Sequence, residues 1–159
     1  MKKLGVIGLG NPLRRDDGIG IVLLDKLVKR KQDLPLNIEY IDGGTGGLNL
    51  IHLLSRFHTV VFLDAAYCNK KAGEGELFDL KEVKNNRISL SSSTHDSDIL
   101  KVIQLLSELS QNPTNIFFFG IQPKDTSMGT SLSKELQQNI NGLIDQVIST
   151  LKSLYEEVP

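Results

Sequence analysis

The stretch Leu4-Gly5-Val6-Ile7-Gly8-Leu9-Gly10-Asn11-Pro12-Leu13-Arg14-Arg15-Asp16-Asp17-Gly18-Ile19-Gly20 decides the class of fold. Its apolar start, Leu4 to Ile7, reads as a buried strand, and the glycine turn after it hands over to a helix. A Gly-x-Gly in that place invites a dinucleotide reading. Asp16 and Asp17 argue against it, because two carboxylates at a helix N-terminus repel a phosphate and favour a cation. Asp16 is read as the helix-start cap and Asp17 as the site residue, although spacing alone does not separate the two.

Outward from this opening, strand-like and helix-like segments alternate. That pattern predicts an α/β fold: a three-layer α/β/α sandwich with a mostly parallel, twisted sheet of about five strands and helices on both faces. Strands are expected over 3–9, 37–42, 59–63 and 115–119, with an extra, antiparallel edge strand over 76–80. Helices are expected over 17–31, with Ile21, Leu24 and Val28 on one stripe and Leu23 and Leu27 beside it, and over 47–56. A third starts near Asp96 and a last runs from about 132, where Leu132, Leu136, Ile140, Leu143, Val147, Leu151 and Leu154 form one apolar stripe. Residues 81–93 carry no clear period and read as loop.

The 159 residues are read as one domain, 1–159, long enough to bury a core without staples. Eighteen Lys and Arg against 19 Asp and Glu leave a net charge of −1, which disfavours nucleic acid and anionic membrane surfaces as partners. The lone Cys68 makes no internal disulfide, and Met1-Lys2-Lys3 opens no signal-peptide apolar segment, so a cytoplasmic protein is expected. No apolar run approaches the roughly 18 to 20 residues of a membrane helix.

In open parallel sheets the functional crevice lies beyond the carboxyl ends of the strands. Asp17 follows the first strand, Asp42 ends the second, Asp64 ends the third, and His95 is placed in the loop before a helix. Two carboxylates and an imidazole suit a divalent transition metal with open positions, while strand-end aspartates also serve as caps. Asp42 reads equally as the closer of the Gly43-Gly44-Thr45-Gly46-Gly47 turn and as a general base. Cys68 reads as a bland thiol, and Ser89, Ser91, Ser92 and Ser93 as loop and capping residues, since Gly-x-Ser-x-Gly is absent.

Gly8 to Pro12 alone resembles the start of bacterial peptidyl-tRNA hydrolases, but those continue with a catalytic histidine and this chain has none before His52. The full string Gly8 to Gly20 instead resembles the opening of the hydrogenase maturation endopeptidases. Ile41-Asp42-Gly43-Gly44-Thr45, Val60-Val61-Phe62-Leu63-Asp64-Ala65, Ser93-Thr94-His95-Asp96 and Phe119-Gly120-Ile121-Gln122-Pro123 resemble later segments of that family, in order. The resemblance implies an endopeptidase that removes the C-terminal extension of a nickel-iron hydrogenase large-subunit precursor after nickel insertion. It maps the metal-contacting positions to Asp17, Asp64 and His95. It also implies that nickel arrives with the precursor and that the free enzyme holds no tight cofactor. The family's aspartic-type classing makes Asp17, Asp42 or Asp64 the candidate catalytic carboxylate, with nickel-activated water as the competing account. A peptidyl-tRNA hydrolase-like hydrolase and a non-catalytic nickel- or nucleotide-binding module are the alternatives. Substitutions at Asp17, Asp64 and His95, read as surface positions, are expected to cost less than about 0.5 kcal/mol of stability.

Overall fold

The computed structural model describes residues 3–90 and 93–157, with 93–98 described by backbone alone. β1 (Leu4–Gly8) lies between β2 (Ile38–Asp42) and β3 (Thr59–Tyr67), and β3 is followed by β6 (Asn115–Ile121), all four parallel. β4 (Gly75–Asp79) closes the far edge antiparallel to β6. A two-residue β5 (Ser89–Leu90) pairs antiparallel with the end of β3, Ala66 facing Leu90. The expected class of fold is what forms.

Alternation along the strands sends side chains to two cores. Leu4, Val6, Val61, Leu63 and Ala65 pack with α1 (Ile19–Lys29) and α5 (Lys134–Glu156) on one face. Ile7, Val60, Phe62 and Ala66 pack on the other with Leu54 of α2 (Ile51–Leu54) and with Ile99, Val102, Ile103 and Leu106 of α4 (Ser93–Glu108). The strands buried on both faces are predominantly apolar, as a covered parallel sheet requires, with Thr59 and Asp64 of β3 the buried polar exceptions. Phe62 and Phe118 stack across β3 and β6 with ring centroids 5.0 Å apart.

Several expectations need correction. Val28 is exposed, so the α1 stripe narrows to Ile21, Leu23, Leu24 and Leu27. The 81–93 stretch is not all loop: α3 (Leu80–Lys84) opens there on a capping box, Asp79 accepting from Glu82 N–H at 2.9 Å and Glu82 from Asp79 N–H at 3.1 Å. That Asp-x-x-Glu signal is local and was legible in the sequence. β3 runs four residues past Leu63, and α4 begins three residues before Asp96.

The chain leaves β1 for β2 on one side, and later leaves β3 for β6 on the other. The order in which strands are added therefore reverses between β1 and β3, and the crevice of an open α/β sheet opens at such a switch.

Candidate active site at the carboxyl edge of the sheet

The turn after β1 is tight because glycine permits it. Gly10 sits at φ +137°, and a Cβ there would collide with the Asp17 carbonyl oxygen. The chain then enters a single 3-10 turn, Arg15–Gly18, before α1. Neither aspartate is an N-cap residue: Arg14 is the N-cap of the 3-10 turn and Gly18 that of α1, and neither makes a side-chain cap bond. The expected cap role of Asp16 is thus not what its carboxylate does.

Asp16 is wholly buried. Its Oδ2 accepts from Lys124 N–H at 2.8 Å and Asp125 N–H at 2.9 Å, and its Oδ1 from Ser133 N–H at 2.7 Å. All three donors belong to the loop joining β6 to α5, and a carboxylate is the one side chain that offers acceptors alone to such a cluster. Asp17, also wholly buried, turns the other way, and its Oδ2 accepts from Asn11 N–H at 2.9 Å.

Asp64 stands inside β3 rather than at its end. It faces Gly120 in the ladder, one step beyond Leu63, the last residue that β1 pairs. It is wholly buried and shares the face of Phe62 and Ala66, the face that α4 covers. His95 lies in the first turn of α4, not in a loop before it, and its side chain lies outside the described residues, as do Ser91 and Ser92. The glycine turn after β2 reaches the same helix: a Cβ on Gly46 would sit 3.4 Å from Ile99 Cβ. Asp64 in β3 and Asp17 in the 3-10 turn that follows the neighbouring β1 thus flank the switch point. Their full burial overturns the surface-position estimate of their substitution cost.

Asp42 is placed apart from them. It ends the edge strand β2, exposed, opposite Gly8, and its Oδ1 accepts from Gly44 N–H at 2.9 Å in an Asx turn. Among the described side chains, no group of three His, Cys, Asp or Glu converges as a metal site. The half-buried Cys68 thiol is pushed up by burial, opposing thiolate formation. Its backbone N–H donates at 2.9 Å to Gln122 Oε1, a tie between the ends of β3 and β6 that sequence reading missed. A cleft of about 500 Å³ lies at the opposite, amino edge of the sheet, between Lys81, Lys84 and the start of β6. It holds none of the candidate acids, so the strand-end topology, not cleft size, locates the candidate chemistry.

A family profile described as hydrogenase maturation protease (HycI) matches residues 22–150. The chain is 26% identical to hydrogenase 2 maturation protease of Escherichia coli, over 97% of this chain and 94% of that protein. It is 28% identical to the hydrogenase expression/formation protein HupD of Bradyrhizobium diazoefficiens, over 92% of this chain and 76% of that protein. HupD of Thiocapsa roseopersicina is longer: the match, 26% identical, takes in 92% of this chain and 66% of that one. Among solved structures, the hydrogenase maturating endopeptidase HybD of Escherichia coli superposes with a TM-score of 0.80, covering 95% of this chain and 93% of that one at 24% identity. At that identity the likeness speaks for the fold.

Proposed function

The chain belongs to the hydrogenase maturation protease family, and on that premise we propose that it is an endopeptidase that removes the C-terminal extension of a nickel-iron hydrogenase large-subunit precursor. The nickel is cargo of the precursor, and Asp17, Asp64 and His95 complete its coordination when the precursor docks. One observation carries this reading: Asp17, in the 3-10 turn after β1, and Asp64, in the adjacent β3, are distant in sequence yet both wholly buried beside the switch point. Carboxylates are fitting ligands for a divalent cation. The loops and strand ends at this edge also carry exposed Leu13, Leu48, Tyr67 and Met128, apolar surface of the kind a protein substrate covers.

Requiring nickel for docking makes recognition a difference between loaded and empty precursor, because only the loaded one brings a cation for the carboxylates to contact. Water attack on the scissile carbonyl needs a base, supplied by a carboxylate of Asp17, Asp42 or Asp64, or a polarising ion, supplied by the nickel. Asp42, exposed and apart from the other two, separates these accounts. Its replacement by Asn removes a base without touching the nickel contacts.

The test is to incubate the enzyme with cognate precursor, loaded with nickel or empty, and follow the precursor's mass. Loss of the extension from loaded precursor alone is expected, abolished by Asp17→Asn, Asp64→Asn or His95→Ala in protein that remains folded by circular dichroism. Unchanged mass with loaded precursor refutes the endopeptidase reading. Normal processing by the His95→Ala protein refutes the nickel contact.

A further inference from the structure

We propose that Asp16 is a positioning residue: its carboxylate locks the β6–α5 loop onto the turn that carries Asp17 and thereby fixes where Asp17 presents its own carboxylate. The inference rests on the reading of Asp17 given above.

The two segments are joined by more than Asp16. Arg15 N–H donates to Gly129 O at 3.1 Å, Gly129 N–H to Leu13 O at 2.9 Å, and Asp16 N–H to Asp125 O at 3.0 Å. Arg14 Nε donates to Thr126 O at 3.1 Å, and Arg15 Nε stands 3.5 Å from Asp125 Oδ2. These ties lie at the rim. The three bonds converge on the Asp16 carboxylate, which is wholly buried, and one of their donors, Ser133, is also the N-cap residue of α5. The loop is thus pinned to both the site turn and the last helix through a single side chain.

Asp17 is the next residue along the same 3-10 turn, with its N–H donating to Arg14 O at 3.0 Å. Adjacent Cα atoms are held about 3.8 Å apart by planar peptides, so a turn that shifts to relieve Asp16 carries Asp17 with it. Asn at position 16 would point an NH₂ at one of the three N–H donors. Recognition groups must hold position to about 0.5 Å, and a misplacement of about 1 Å is worth up to about 100-fold in rate.

The experiment compares wild type with Asp16→Asn on nickel-loaded precursor, with rates expressed per folded molecule at a temperature well below each melting point. The expected result is a kcat about 10- to 100-fold lower with KM within about threefold. A role confined to stability leaves kcat per folded molecule unchanged. Ser133→Pro is the second variant: φ at Ser133 is −60°, which proline accepts, and the change removes the N–H that reaches Asp16 Oδ1 while leaving both acids in place. It should lower kcat in the same direction, by about 3- to 10-fold on the same scale. If wild type cleaves and both folded variants cleave normally, the positioning role is refuted while the endopeptidase stands. If both variants lose the fold before they lose rate, Asp16 is structural only. If wild type itself leaves the precursor intact, the functional reading fails and this inference with it.

Discussion

Replacing Gly8 with Ala tests whether the site turn depends on close approach between the end of β1 and the start of α1. A Cβ at Gly8 would lie 2.7 Å from the Gly20 carbonyl oxygen and 3.1 Å from Leu24 Cβ. An unstrained contact needs roughly 3.4 Å or more, so α1 must back away from β1 by about 0.7 Å, against interior packing that has little slack. Overpacking of this kind costs about 1–3 kcal/mol, and the reduced freedom of the unfolded chain returns about 0.4–1 kcal/mol. The net loss of about 1–2 kcal/mol should lower the melting temperature by about 2–8 °C in a chain of this size. Gly142→Ala is the matched control: it lies exposed within α5, and a Cβ there meets nothing within 4 Å. It should raise stability by up to about 1 kcal/mol, or about 2–4 °C. Thermal and urea unfolding followed by circular dichroism, with m-values unchanged, read both. A Gly8→Ala protein as stable as wild type, or one indistinguishable from Gly142→Ala, refutes the argument that the strand–helix contact is tight.

Two further outcomes concern titration. The Ser127 hydroxyl, 2.6 Å away, and then the Ser127 N–H hold the Asp125 carboxyl below the usual carboxylate range. Its contribution to stability is therefore present above the unfolded value of about 3.9 and is lost as pH falls through the lower folded value. Ser127→Ala should move the Asp125 carboxyl resonance midpoint to higher pH in an NMR titration, and an unmoved midpoint refutes the assignment. Burial raises the Cys68 thiol, with Lys70 opposing more weakly. Iodoacetamide at neutral pH should therefore alkylate Cys68 several-fold more slowly in the folded protein than in urea, the rate rising as pH climbs toward the folded value. Equal rates refute it.

The class of fold and the presence of its main strands were legible in sequence because each depends on local signals. Apolar runs such as Val60 to Leu63 announce buried strands, and the glycines around Asp16 and Asp17 announce a turn that only bare backbone can make. What stayed hidden depended on partners far along the chain. Asp16 looked like a cap because caps are local, whereas its donors lie at Lys124, Asp125 and Ser133. Burial of Asp64 within β3, rather than exposure at its end, follows from pairing with β6 continuing after β1 has stopped. By itself, the sequence determined which residues carry charge at the carboxyl ends of the strands. Only the tertiary structure decided which of them are buried beside the switch point and which hold the loops in place, because those outcomes are set by strand order and by hydrogen-bond donors that no local pattern encodes.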